Sequence, residues 1–299
     1  MLEVKNVHKS FGSLKAVNDL SFSIKENEIL GMIGRNGSGK TTTFRLILDF
    51  LTPDKGEVLW NNHPLTSEDY DAIGYLPEER GLYPKVTIQE QILYFAKLRG
   101  KKAKDILPKI DYWMEKFQVK GKKTDKIKTL SKGNQQKVQL ITTLIHEPKL
   151  VILDEPFSGL DPVNAALLKE AIMELKQKGA CVIFSSHNME NVAEICDSLV
   201  MIHNGDQVLE GEVDDIRLSF GRTKLIVEAD VTDEELLAIP GVISIESLPL
   251  NQKLLQLEHE EVGREVFKLV AKDGYVPVFN QQPPTLEEIF KMKAGGKDE

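Results

Sequence analysis

Gly34-Arg35-Asn36-Gly37-Ser38-Gly39-Lys40-Thr41 is the segment whose residue types and spacing point most directly to chemistry. Its glycines let the backbone curl until successive N–H groups point at one anion. A helical pattern follows at once, so the positive end of a helix dipole faces the same place. Lys40 supplies a cation for the β- and γ-phosphates of a nucleotide, and the Thr41 hydroxyl is placed for Mg²⁺. The segment matches G-x-x-x-x-G-K-[ST] in full, between an apolar strand and a helix, which is the context that the motif requires. Thr42, next in the chain, joins Gly34 to Thr41 as a candidate phosphate-binding residue. The glycine spacing does not fit the G-x-G-x-x-G dinucleotide turn.

Asp154 and Glu155 close the apolar run Leu150-Val151-Ile152-Leu153. A strand of that kind ends at the carboxyl edge of a parallel sheet, where ligands of open α/β sheets bind. Asp154 there can hold Mg²⁺, and Glu155 can take a proton from an attacking water, a role that typically contributes ~10²–10⁴-fold. The alternative is a pair of carboxylates that merely caps a strand end. The phosphate loop in the same chain favours the catalytic reading.

The elements that must position these residues alternate along the chain. LEVKNV, DLSFSI and EILGMIG near the N-terminus have strand character, and GEVLWNN and AIGYLP follow the turn at Pro53–Gly56. From about Thr87 to Glu147 the pattern is helical, KLVILDEP and ACVIFSSH read as buried parallel strands, and Asp161–Lys178 and MENVAEICD read as helices. Strands separated by helices predict a parallel sheet with helices on its faces. Composition shifts near Phe220, and residues 223–293 run strand, helix, strand, strand, helix, strand, the split βαββαβ order, before a last short helix. The predicted division is 1–218, with a helical subdomain at about 85–145, then an accessory domain at 219–293 and a frayed tail at 294–299.

At 299 residues the chain is long enough for about two domains of roughly 100–200 residues. Apolar residues are 41% and charged residues 28%, which excludes fibrous and disordered classes. The net charge of −8 argues against a surface that grips nucleic acid throughout. Two cysteines, Cys181 and Cys196, lie in apolar contexts and form no disulfide framework, which fits a reducing compartment. No apolar run approaches the ~18–20 residues of a membrane helix, and the N-terminus lacks the apolar core of a signal peptide. A cytosolic protein is expected, with any membrane role reached through a partner. From Lys97 to Lys128 there are twelve Lys or Arg against four Asp or Glu. That stretch is either a solvated helical face or a surface drawn to anionic membrane lipid.

Further motifs complete a resemblance. Leu130-Ser131-Lys132-Gly133-Asn134-Gln135-Gln136-Lys137 precedes the Asp154-Glu155 strand, Ser158-Gly159-Leu160-Asp161 follows it, and Ser186-His187 ends the next strand. With the phosphate loop these ordered motifs make residues 2 to about 215 resemble an ATP-binding-cassette ATPase. The resemblance implies a P-loop NTPase fold: a RecA-like parallel sheet with an antiparallel β subdomain and an α-helical subdomain, here followed by a small α+β ferredoxin-like domain. It implies ATP and Mg²⁺ as cofactors. It also implies head-to-tail pairing of two such domains, as a homodimer or a pseudo-symmetric dimer, with ATP between one phosphate loop and the partner's signature segment. Ser131, Gly133 and Asn134 would meet the partner's γ-phosphate and Asp161 the dimer seam. Glu155 would be the base and His187 would steady it. Phe11 would stack on adenine, where tyrosine is more usual. Thr41, Asp154 and Glu78 would face Mg²⁺.

The chain departs from that pattern at Lys132, where glycine is typical, at Asn134, where glutamine is, and at Glu78, where glutamine is common. Glutamate still offers an oxygen that suits Mg²⁺. The variant LPEERGLYP with LSKGNQQK resembles bacterial exporters of the sodium-extrusion and drug or peptide types. The resemblance therefore implies the ATPase subunit of an exporter at the cytoplasmic face of the membrane. Its partner would be an integral membrane permease docking near Glu78–Gly100, and no nucleic acid is expected. Two alternatives stand beside it. One is a soluble cassette ATPase of translation or DNA maintenance, disfavoured by the single motif set and by the lack of sustained heptads between Lys40 and Ser131. The other is an import ATPase. The last domain is expected either to stabilise the dimer or to sense a ligand.

Overall fold

The protein is described by a computed structural model over residues 1–79, 81–272 and 274–294. Of the tail expected to fray, 294–299, Ala294 ends the last helix and residues 295–299 lie outside the described residues. The chain divides into two compact units, Met1–Gly211 and a second that begins at Glu212.

The first unit runs β1 (Leu2–Phe11), β2 (Leu14–Ile24), β3 (Ile29–Ile33), α1 (Lys40–Ile47), β4 (Lys55–Trp60) and β5 (Ile73–Leu76). It continues with α2 (Ile88–Leu98), α3 (Ala103–Lys116), α4 (Lys132–Leu144), β6 (Leu150–Leu153), α5 (Pro162–Gln177), β7 (Cys181–Ser186), α6 (Met189–Ile195), β8 (Ser198–His203) and β9 (Asp206–Glu212). Its described strands form one sheet in the order β4-β1-β2-β9-β8-β3-β7-β6-β5. β4, β1 and β2 pair antiparallel, while β8, β3, β7, β6 and β5 pair parallel. Every residue of β3, β6 and β7 is buried. Continuous apolar runs form such strands because helices cover both of their faces. The expected parallel sheet with an antiparallel flank and a helical insertion is thus present.

β8 and β9 are not among the expected elements. Ser198–His203 follows a helix closely; it pairs parallel with β3 from near the N-terminus and has β9, the next strand in the chain, on its other side. The local signal is the Asn204-Gly205 turn, with φ of 50° and 86°, a pair that favours a tight hairpin.

Caps fix the helices next to the phosphate site. Asp161 caps α5 by accepting from Asn164 N, with Pro162 at the first helical position. Ser131 caps α4, and Asn188 caps α6. Thr87 and Glu90 make a reciprocal capping box on α2.

The second unit holds α7 (Val213–Ser219), β10 (Lys224–Glu228), α8 (Asp233–Leu237), β11 (Val242–Leu248), β12 (Gln252–Leu257), α9 (Val262–Val270), β13 (Val278–Gln282) and α10 (Leu286–Ala294). Its sheet order is β11-β12-β10-β13, with antiparallel neighbours throughout. Each helical crossover therefore joins strands separated by one, as in the split βαββαβ motif. Its core is Leu225, Val227, Leu236, Leu255, Leu257, Val266 and Val270.

His146 is a buried histidine behind β5, and its Nε2 donates to the Ile73 carbonyl at 3.1 Å. Burial pushes its pKa from 6.5 down to about 4. The unfolded chain binds this proton more readily than the folded one, so the neutral ring favours folding above pH 6.5. That contribution is lost as pH falls toward 4. In urea titrations across this window, His146→Gln is expected to show a shallower pH slope than the wild type, by up to about 1.4 kcal/mol per pH unit.

Candidate functional site

The phosphate loop leaves β3 and enters α1. Gly37 and Gly39 have φ of 81° and 111°, a region that side chains rarely occupy. A Cβ on Gly39 would sit 2.3 Å from the Ala16 carbonyl oxygen, so the loop closes against β2 only with glycine there. No side chain caps α1. Its first N–H groups, at Lys40, Thr41 and Thr42, lack intrahelical partners and make an anion seat. Lys40 is buried, and its Nζ donates to the carbonyls of Gly34 at 2.7 Å and Arg35 at 3.3 Å.

β6 and β7 bring the remaining groups to the same edge. Thr41 Oγ1 donates to Asp154 Oδ2 at 2.8 Å, and Ser185 Oγ donates to Asp154 Oδ1 at 2.7 Å. Ser185 Oγ also accepts from the Glu155 backbone N–H at 2.8 Å. Glu155 has φ of 49°, a left-handed conformation that a non-glycine residue holds only when its surroundings impose it. Its Oε2 accepts from His187 Nδ1 at 2.9 Å, while its Oε1 lies 3.4 Å from Lys40 Nζ with no hydrogen-bond partner among the described residues. One carboxylate oxygen is thus held by His187 and the other faces the Lys40 ammonium.

A cleft of about 470 Å³ joins these parts. Phe11, Asn36, Gly37, Gly39, Lys40, Thr41, Thr42, Glu78, Asp154 and Glu155 all line it. Phe11 is half exposed at the end of β1, with Lys9 Nζ 5.8 Å from its ring centre. Gly34 and Ser38 are buried under the loop, where a Cβ on Gly34 would meet Ser38 Oγ at 2.3 Å, while Arg35 is exposed. The oxygens of Thr41, Asp154 and Glu78 beside one cleft are a donor set that suits a hard cation.

The structure does not bring Ser131, Gly133, Asn134 and Asp161 to that cleft. Ser131 Oγ accepts from Asn134 Nδ2 at 3.0 Å at the start of α4, and Asn134 Oδ1 accepts from Lys120 N at 2.9 Å. Space around Gly133 is open, with nothing within 4 Å of an added Cβ. Gln136 Nε2 donates to the carbonyls of Pro156 at 3.2 Å and Ser158 at 3.1 Å, which ties α4 to the segment after Glu155.

Similarity to known proteins agrees with this geometry. Residues 17–158 match the family model described as ABC transporter. Residues 211–294 match the model of the C-terminal domain of DrrA1-3-like ATP-binding proteins. The uncharacterized ABC transporter ATP-binding protein YhaQ of Bacillus subtilis is 40% identical over 99% of each chain. The chain belongs to the ABC transporter ATP-binding subunits. The Nod factor export ATP-binding protein I of Bradyrhizobium diazoefficiens is 32% identical over 71% of each chain. A solved ATP-binding subunit of an ABC transporter superposes with a TM-score of 0.69 at 32% identity, covering 74% of this chain and 93% of that one. As an ABC ATPase this subunit binds and hydrolyses ATP. Among the described residues no helix is long and apolar enough to cross a membrane.

Sequence reasoning about this ABC subunit missed Ser185 and the cleft residues Leu14, Lys15, Ala16 and Asn204. Ser185 sits beside the motif residues Ser186 and His187, but its inward aim is decided by strand pairing. Ser185→Ala leaves a buried carboxylate oxygen and a buried N–H without their partner. The expected loss is about 1–3 kcal/mol in urea unfolding, together with a lower ATPase rate than wild type. Unchanged stability would show that the hydroxyl is dispensable.

Proposed function

We propose that this subunit powers an exporter, working as a head-to-tail dimer beneath an integral membrane permease at the cytoplasmic face of the membrane. The observation that carries the catalytic part is the convergence of Lys40, Thr41, Asp154, Glu155 and His187 at one sheet edge. Lys40 and the free N–H groups of α1 hold the β- and γ-phosphates of ATP. Phe11 offers a π-face to the adenine. Glu155 Oε1 takes the proton of the attacking water, while His187 and the Ser185-bound backbone hold the carboxylate in place. Mg²⁺, when bound, neutralises phosphate charge and polarises the γ-phosphate. Thr41, Asp154 and Glu78 supply oxygens that would hold it.

Ser131, Gly133, Asn134 and Asp161 lie away from this chain's own cleft, which supports a role against ATP held by a second subunit. The C-terminal unit is read as an accessory domain that stabilises or regulates that dimer. Exporter direction is supported by the export role for which the Nod factor relative is named and by the variant motif pattern.

Glu155→Gln is expected to lower steady ATP turnover by about 10²-fold or more while a nucleotide-bound dimer accumulates in light scattering. Normal turnover in that variant would remove Glu155 as the base. Lys40→Ala should instead weaken nucleotide binding itself, read by titration with a fluorescent nucleotide, because a phosphate counter-charge is lost. For the partner, detergent extraction of the tagged chain should recover a multi-span membrane protein. Recovery of ribosomes or DNA-repair factors alone would overturn the transporter assignment.

A further inference from the structure

α4 carries two amides that reach off the helix to other segments. Gln136 and Gln139 are spaced to share one side of the helix. Gln136 Nε2 holds the carbonyls of Pro156 and Ser158, after Glu155. Gln139 Nε2 donates to the Glu79 carbonyl at 3.3 Å, after Glu78. Both line a pocket of about 190 Å³ together with Glu78, Asp154 and Glu155. The same carboxylates line the phosphate-loop cleft, so the pocket and the cleft meet at them.

Packing does not account for Gln139. It is 7% exposed, between the buried Val138 and Leu140. A leucine or methionine there would fill the space without the cost of dehydrating an amide. The nearby hydroxyls of Thr142 and Thr143 donate back to carbonyls of α4 itself. The Gln139 amide instead crosses to another segment.

That contact fixes the stretch after β5. The Leu76 carbonyl, at the end of β5, accepts from Asp154 N at 2.8 Å. The Glu79 carbonyl is held by Gln139. Only Pro77 and Glu78 lie between these two fixed points, and the proline ring locks one of the torsions that remain. Farther on, Gln91 of α2 is 1% exposed and accepts from Tyr83 N at 3.1 Å. The main chain at Glu78 is therefore pinned from both sides, once by the strand that leads to Asp154 and once by α4.

We infer, on the reading of Glu78 as an oxygen that would face Mg²⁺, that Gln139 is a positioning residue: by holding the Glu79 carbonyl it keeps the Glu78 carboxylate beside the oxygens of Thr41 and Asp154. Gln139 is not among the residues that line the cleft, so its influence passes through the main chain of Glu78 and Glu79. Loss of the amide releases one of the two fixed points and lets the carboxylate move away from the cation position.

The test is binding of a fluorescent, non-hydrolysable ATP analogue to the full chain, titrated with Mg²⁺ and repeated in EDTA. Q139M keeps the volume and removes the amide. It should raise the Mg²⁺ concentration for half-maximal effect by roughly fivefold, the worth of one net hydrogen bond, and leave the affinity in EDTA unchanged. Q139E, of equal size but without the donor, should do the same. E78A should raise the Mg²⁺ requirement at least as far, and Q139M/E78A no further than E78A, because a residue that acts only through Glu78 then has nothing left to position. T142V, on the same helix, should match the wild type. A wild-type Mg²⁺ requirement in both Gln139 variants, or a full added loss in the double variant, would overturn the inference and leave the role of Glu78 standing. An equal loss of affinity in EDTA would make Gln139 a purely structural residue and overturn it too. E78A with the wild-type Mg²⁺ requirement would instead remove the metal-facing reading of Glu78, and the inference with it.

Discussion

Parallel pairing of β3 with β7 and of β7 with β6 is the constraint on which the rest of this molecule depends. Ile33 lies opposite Ser186, and Leu153 opposite Phe184, so the three strands end at nearly one level. The phosphate loop, Asp154-Glu155 and His187 are the residues that follow those ends. Chain segments more than a hundred residues apart thereby meet within hydrogen-bond distance. A slip of one residue would turn Ser185 from Asp154 toward the opposite face, because side chains alternate along a strand. The strands are buried throughout, and that burial makes the register unambiguous.

Within this frame one hydroxyl links both carboxylate residues. Ser185 Oγ donates to Asp154 and accepts from the backbone of Glu155. The Glu155 backbone is held in a left-handed conformation, which is costly for glutamate and persists because the surrounding bonds determine it. That turn sends the Glu155 side chain back over Lys40 and His187 instead of on into the following segment. A carboxylate held this way loses little further freedom on engaging a ligand, which is the kind of pre-organisation that the proposed role as base requires.

The cleft and the segments proposed to face a second subunit, α4 and the start of α5, lie on the same unit. Gln136 joins the two through the carbonyls that follow Glu155. α4 and the segment after Glu155 are thus tied together by hydrogen bonds within one chain. Glu78, which lines the cleft with Asp154, lies two residues beyond the end of β5, the strand next to β6. The two segments leave the same sheet edge by neighbouring strands.

Much of this was legible in the residues. The phosphate loop is a local device: its glycines, lysine and threonine act within eight residues, so spacing alone exposes it. The buried parallel strands show as apolar runs, and the βαββαβ order shows as alternating periods. Cap residues such as Asp161 and Ser131 are also local, although they carry no hint of whether a second chain needs them. Ser185 was not legible, because its place comes from strands distant in sequence, whereas the β8–β9 hairpin did carry a local signal in the Asn204-Gly205 turn. The basic stretch shows the same divide, since only folding determines which lysines find an acid and which face outward. The sequence by itself determined the chemistry available and the kinds of element that carry it, because phosphate binding, capping and periodicity are short-range. The tertiary structure decided which oxygen of Glu155 is free, which hydroxyl bridges the carboxylates and which charges stay unpaired, because those outcomes follow from long-range pairing and burial.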